Sequence, residues 1–186
     1  MFYTMTIAGV TRDLPLCRIN DSLYIAAFVL LGDVELTKCC AAELVKKAPE
    51  HDIIVTAESK GIPLVYEMAS LLGHKRHIIV RKSRKLYMPD VISTTVNSIT
   101  TENRQELFLD TADAEYLKNK RVLIVDDVIS TGNSLSAVER LIDKAGGTIV
   151  GKMAVLAEGD AQERDDIIYL EKLPVFNADG SILFNR

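Results

Sequence analysis

The stretch Arg121 to Ser136, RVLIVDDVISTGNSLS, constrains the chain more than any other. Val122 to Val125 form an unbroken apolar run, which Asp126 and Asp127 end. A small polar turn follows, Val128-Ile129-Ser130-Thr131-Gly132-Asn133-Ser134. Beyond it, Leu135, Val138, Leu141, Ile142 and Ala145 recur at helical spacing until Gly146-Gly147 stop the pattern. The run reads as buried strand, loop and helix. An apolar strand with polar groups only at its carboxyl end belongs inside a parallel sheet. Ligands of open α/β sheets sit beyond those strand ends.

The turn has a legible chemistry. A helix start offers free backbone N–H groups and the positive end of its dipole. Ser130, Thr131 and Ser134 add hydroxyl donors. Gly132 permits close backbone approach and positive φ, which Asn133 also tolerates. Such a loop suits a phosphate. Asp126 and Asp127 would repel one and suit neighbouring hydroxyls or a hydrated cation. A phosphate with vicinal hydroxyls beside it describes a sugar phosphate. An isolated Asp-Asp pair can simply cap a helix, but here strand, acidic pair and loop arrive together. The loop lacks G-x-x-x-x-G-K-[ST], so it is not a nucleotide P-loop.

This stretch resembles the phosphoribosyl-pyrophosphate (PRPP) motif of the type I phosphoribosyltransferases: four apolar residues, two acidic, three variable, Thr-Gly, then usually Gly or Thr. Here it is VLIV-DD-VIS-TG-N, with Asn133 departing at the last position. The resemblance implies that Asp126 and Asp127 are the catalytic pair holding the ribose 2′- and 3′-hydroxyls. It implies that the loop Val128, Ile129, Ser130, Thr131, Gly132, Asn133 and Ser134 takes the 5′-phosphate, chiefly from Ser130 onward.

Two further strand ends point the same way. Asp52 to Thr56 is a short apolar strand followed by Ala57-Glu58-Ser59-Lys60-Gly61 and by helical spacing at Ile62, Val65, Ala69 and Leu72, with Gly73 closing it. Ser-Lys-Gly alone is an ordinary turn. Beside the first junction, Glu58-Ser59-Lys60-Gly61 resembles the pyrophosphate loop of adenine enzymes, often Glu-Ser-Arg-Gly. Lys60 places a point charge where Arg is a fork. His77 to Val80 is the next strand, closed by Arg81-Lys82-Ser83-Arg84-Lys85. Cations at a strand end can neutralise and orient phosphates. Arg81, Lys82 and Lys85 resemble the purine family's R-K-x-x-K pattern and are the remaining expected pyrophosphate ligands. Residues 87 to 110 read as a two-stranded excursion with a polar tip at Thr101 to Gln105, the kind of loop that acts as a lid. Ser93 to Thr100 resembles the xanthine branch.

The rest of the chain supplies scaffold. Residues 35 to 47 form an amphipathic helix with Leu36, Cys39, Cys40, Leu44 and Val45 on one side. Met5 to Val10 and Leu23 to Leu31 are apolar, and Asp13 to Asn20 between them reads as irregular or edge strand. A short helix or turn spans 112 to 119. Strands are expected at Thr148 to Leu156, Ile167 to Leu170, Leu173 to Phe176 and Ser181 to Phe184. The alternation gives an α/β fold with a parallel sheet. The expected organisation is a single domain over residues 1–186, with a core of about 35–170. By resemblance, a small hood over the base comes from N- and C-terminal segments, about 1–34 and 171–186.

Composition narrows the class. With 186 residues, 48% hydrophobic, 26% charged and a net charge of −4, the chain has a soluble globular make-up and not that of a general nucleic-acid binder. No signal peptide is evident, and no apolar run approaches the roughly 20 residues that span a bilayer. Three cysteines show neither a disulfide framework nor zinc spacing, which suggests a cytoplasmic protein with buried thiols. His51, His74 and His77 share no metal spacing.

The resemblance implies displacement of pyrophosphate from PRPP by a purine nitrogen, as in purine salvage. It implies Mg²⁺ held through PRPP and water with no direct protein ligand. It also implies a homodimer, with no nucleic-acid or membrane partner. Adenine is the first expected base and xanthine or guanine the second; a PRPP-sensing regulator without turnover is the alternative. The segment Glu158 to Gln162 lacks the aromatic residue found there in adenine and xanthine relatives, and the Lys of the xanthine enzyme.

Overall fold

The computed structural model describes residues 1–96 and 105–183. The chain opens with β1 (Phe2–Ile7), β2 (Val10–Arg18) and β3 (Tyr24–Ala26), followed by α1 (Val34–Lys47), β4 (Ile53–Ala57), α2 (Ile62–Leu71) and β5 (Ile78–Val80). Then come β6 (Val91–Val96), β7 (Gln105–Asp110), α3 (Thr111–Leu117), β8 (Arg121–Ile129), α4 (Asn133–Ala145) and β9 (Thr148–Glu158). A single 3₁₀ turn, Gly159–Glu163, leads to β10 (Ile168–Leu173), β11 (Val175–Phe176) and β12 (Ile182–Leu183).

Five parallel strands in the order β10-β9-β8-β4-β5 form the central sheet, with β8 in the middle. Side chains alternate across such a strand. Leu123 and Val125 therefore pack with α1 and α2, through Leu44, Leu64 and Met68. Val122 and Ile124 pack with Leu135, Val138, Leu141 and Ile142 of α4, joined by Leu107 and Leu109 of β7. Both faces are thus covered, as a parallel sheet requires.

The second sheet is the hood. It runs β1-β2-β3-β11-β12, all antiparallel, and so joins both terminal segments. Ile7, Leu14, Ala26, Phe28 and Phe176 carry its apolar side into the cluster shared with α1 and α2. Asp33 fastens it: its carboxylate caps α1 by accepting from the Leu36 N–H at 3.0 Å and receives Arg12 Nε of β2 at 2.7 Å. The Arg12 hydrogen bond holds the Asp33 carboxyl below its ordinary pKa.

Several boundaries differ from expectation. β8 does not end at the carboxylates; it runs through Asp126 and Asp127 to Ile129, because β9 continues alongside as far as Glu158 and supplies ladder partners. Asn133 and Ser134 are the first residues of α4, not part of a loop, and the positive φ, 76°, falls on Gly132 alone of that pair of candidates. Residues 13 to 18 are not irregular: they belong to β2, where Asp13 to Pro15 pair with β1 and Leu16 to Arg18 with β3. The parallel sheet takes the chain to Leu173, slightly past the expected core limit. Only Cys40 is a buried thiol, its pKa pushed up to about 12 by burial; Cys39 is half-exposed at the margin of α1's apolar stripe and Cys17 is exposed on the hood. Asn97 to Thr100, the tip expected at Thr101 to Gln105 up to residue 104, and Phe184 lie outside the described residues. Among the described residues, no helix is long and apolar enough to cross a membrane.

Asp33→Ala should lower stability by about 1–2 kcal/mol, the usual loss of an N-cap, and Asp33→Asn by less, since the amide oxygen still caps. Thermal melts followed by circular dichroism measure both. An unchanged melting temperature in Asp33→Ala would show that the hood is not fastened here.

Candidate active site

The carboxyl ends of β4, β5, β8 and β9 meet at one edge of the central sheet. Asp127 on β8 is 4% exposed, the one charged residue that is buried among those described. Its Oδ2 lies 2.9 Å from Lys60 Nζ, an ion pair without directed hydrogen-bond geometry. Lys60 Nζ also approaches the Phe28 carbonyl of the hood at 3.5 Å. One ammonium therefore touches the loop after β4, the acidic pair and the cover. Asp126 accepts from the Asp127 N–H at 2.9 Å. Burial, and then the charge of Asp127, raise the Asp126 pKa well above the ordinary carboxylate range. Glu158, at the end of β9, is also raised by burial, with Lys60 pulling the other way.

Gly61 is required for this closeness. A Cβ there would stand 2.5 Å from Thr56 Oγ1 and 3.1 Å from Asp126 Oδ1, so the loop after β4 can lie against β8 only with glycine. Gly61 also serves as the N-cap of α2, and Gly132 as that of α4, neither with a side-chain cap bond. α1 and α3, by contrast, are capped by the carboxylates of Asp33 and Asp110. α4 thus leaves its first-turn N–H groups to other acceptors, which is how a helix terminus takes an anion, whereas in α2 the Ile62 N–H already donates to the Ser59 carbonyl at 3.2 Å and Pro63 has none.

Glu58 gathers the basic segment. Its Oε2 accepts from the Lys82 N–H at 3.0 Å, and its Oε1 lies 3.5 Å from both Arg81 Nη1 and Lys85 Nζ. These contacts hold its carboxyl below the ordinary range although burial works against them. Arg81 also exchanges backbone bonds of 2.8 Å with Phe108, tying the segment to β7. The hairpin rests in turn on α4, where Arg140 Nη2 donates to the Thr95 carbonyl at 2.7 Å and Lys144 Nζ to that of Ser93 at 2.8 Å.

The expected residues thus fall into two groups. Lys60 and Gly61 come together with Asp126 and Asp127, while Arg81, Lys82 and Lys85 assemble on Glu58. Thr131 and Ser134 are exposed at the start of α4, and Ser130 is half-buried. Sequence reasoning missed the Phe28 carbonyl, which no side-chain pattern marks, and Arg164, which packs on Gly132. Among the described residues, no cluster of three or more His, Cys, Asp or Glu could hold a metal ion.

Residues 37–182 match the family model of the phosphoribosyl transferase domain. The chain belongs to this family of enzymes. It is 38% identical over 130 residues to a hypoxanthine/guanine phosphoribosyltransferase of Methanocella paludicola, covering 69% of this chain and 64% of that one. It is 40% identical over 116 residues to an adenine phosphoribosyltransferase of Bifidobacterium longum, covering 62% and 57%. These alignments span less than two thirds of each relative's length. The fold is also that of the adenine phosphoribosyltransferase from Thermoanaerobacter pseudethanolicus, with a TM-score of 0.65, 24% identity and coverage of 77% and 84%. The matched relatives are named as phosphoribosyltransferases of two kinds, hypoxanthine/guanine and adenine.

The raised pKa of Asp126 carries a stability consequence. A carboxyl whose folded pKa exceeds its unfolded one opposes folding once ionised; the cost is absent below the ordinary value near 3.8 and grows as pH rises toward the folded value. Asp126→Asn should therefore melt several degrees above the unchanged protein at pH 7, on the order of 1 kcal/mol or more, with the gap closing toward pH 4. Scanning fluorimetry between pH 4 and 8 checks this, and a gap independent of pH would contradict it.

Proposed function

We propose that this protein transfers the 5-phosphoribosyl group of PRPP to a purine base, giving the nucleoside monophosphate and pyrophosphate. The observation that carries the reading is the meeting of Lys60, Asp126 and Asp127 at the strand edge from which α4 also starts, with Gly132 as an N-cap that has no side-chain cap bond. Anion donors lie next to carboxylates suited to hydroxyls, which is the layout a sugar phosphate needs. In this reading the N–H groups and hydroxyls from Ser130 to Ser134 take the 5′-phosphate. Asp126 and Asp127 take the ribose hydroxyls. Lys60, with Arg81, Lys82 and Lys85, takes the pyrophosphate.

The chemistry asked of the chain is positioning and charge stabilisation. The sugar carbon gains positive character as the leaving group departs, and the buried carboxylates face that change. Lys60 would leave Asp127 for the departing pyrophosphate, unmasking the negative charge of Asp127 when the cation develops. In this reading Mg²⁺ would be held through substrate oxygens and water, the mode of binding it favours, near Asp126 and Asp127. When bound, the ion would neutralise pyrophosphate charge. The family reading brings with it a homodimer and a place in cytoplasmic purine salvage. It also takes residues 1–186 as one catalytic unit, the hood covering the base.

Adenine is the base we favour, on the likeness of Glu58-Ser59-Lys60-Gly61 to the adenine enzymes. Hypoxanthine or guanine is a second reading, favoured by the 38% identity to the Methanocella enzyme. The deciding experiment is a panel of adenine, hypoxanthine, guanine, xanthine, orotate and uracil with PRPP and Mg²⁺, scored by pyrophosphate release. A pocket that pairs a base's polar edge can discriminate by roughly 10⁴-fold, so one purine should stand out. Turnover of orotate or uracil alone would overturn the purine reading, and PRPP binding without turnover would point to a regulator.

Thr131→Ala should weaken nucleoside monophosphate binding by roughly 10- to 150-fold, the value of a hydrogen bond to a charged group, and leave free base unaffected. Calorimetry measures both; equal losses would contradict the placement of the phosphate.

A further inference from the structure

Arg164 lies between the 3₁₀ turn and β10, and none of the roles above uses it. One side of its guanidinium is gripped by Asp166, with Nε donating to Oδ1 at 2.8 Å and Nη2 to Oδ2 at 2.7 Å. Asp166 Oδ2 also receives Lys152 Nζ of β9, and Lys152 Nζ lies 2.9 Å from Glu139 Oε1 of α4. The four side chains form an ionic chain from α4 through β9 to Arg164. Lys152 and Glu139 are three-quarters or more shielded from solvent, so salt screens this chain less than a surface pair.

The chain ends on the loop at the start of α4. A Cβ on Gly132 would stand 2.6 Å from Arg164 Nη1, so the guanidinium lies directly against the Gly132 backbone. Gly132 is the residue whose φ of 76° turns the chain into α4. The fork geometry matters: two donors engage Asp166 while the third nitrogen faces the loop. A lysine ammonium has no such division.

We propose that Arg164 is a positioning residue of the anion-binding segment at residues 130–134, bracing the turn at Gly132 and holding a permanent positive charge beside the bound phosphate. The inference rests on the phosphoribosyl-transfer reading above and adds a residue to it. Its effect is confined to the 5′-phosphate end, because Arg164 contacts neither Lys60 nor the segment held by Glu58.

The test compares the unchanged protein with Arg164→Met, Arg164→Lys and Asp166→Asn. Calorimetry measures ribose 5-phosphate and, separately, magnesium pyrophosphate; kinetics measure KM and kcat with PRPP as the varied substrate. Arg164→Met should weaken ribose 5-phosphate and raise the KM for PRPP by about tenfold, the scale of one charge-assisted contact. kcat should stay within about twofold and pyrophosphate affinity should not move, a split that general loosening of the fold would not produce. Arg164→Lys should recover less than half of the loss. Asp166→Asn keeps the cation but frees it, and should shift ribose 5-phosphate in the same direction by about threefold. Unchanged ribose 5-phosphate affinity in Arg164→Met, or an equal loss for pyrophosphate, would overturn the proposal. If Arg164→Met does not fold, unchanged affinity in Asp166→Asn overturns it instead. If the unchanged protein binds neither ribose 5-phosphate nor PRPP, the functional reading itself falls, and this inference with it.

Discussion

A parallel strand buried on both faces can carry polar groups only where it leaves the sheet, and β8 imposes that rule on the whole molecule. Its apolar residues demand helices on each side, α1 and α2 on one and α4 on the other. Those helices return the chain to the same end each time, so every strand of the central sheet delivers its loop to one edge. The site is a by-product of this geometry. Lys60 and Asp127 are far apart in sequence, and they meet because β4 and β8 are neighbours in register, Ile53 beside Val122.

Charge balance governs what happens at that edge. Asp126 and Asp127 would repel each other unrelieved, and Lys60 supplies part of the relief. Glu58 does the converse for Arg81 and Lys85. The charges at this edge therefore balance in two cells, one around Asp127 and one around Glu58. The carboxylates of both cells are the shielded members, Asp127 buried and Glu58 half-buried, while Lys60 reaches in from the surface.

The sequence was most legible where one physical rule dominated. Val122 to Val125, Leu135 to Ala145 and the Gly146 stop are read correctly because apolar period and glycine punctuation coincide. The end of β8 was misread because a polar residue looks like a strand end, whereas the ladder is set by a partner, β9, that the local pattern does not reveal. β2 was obscured in the same way: Thr11, Asp13 and Cys17 face solvent, so half the strand carries no apolar signal. Arg164 was invisible as a site residue because its meaning lies in contacts with Asp166 and Gly132, and its neighbourhood, Glu163-Arg164-Asp165-Asp166, reads as an ordinary charged surface.

The hood is stitched from segments that are distant in the chain: Ile25 of β3 has its partner in Val175 of β11. On the ribosome, β1, β2 and β3 emerge well before β11 exists. The central sheet, with strands nearer in sequence, can close first, and long-range pairing waits until the end. The cover is therefore the last part of the molecule to mature during synthesis. Until then the nascent chain presents an open strand edge at β3, the kind of edge that can template pairing with another chain.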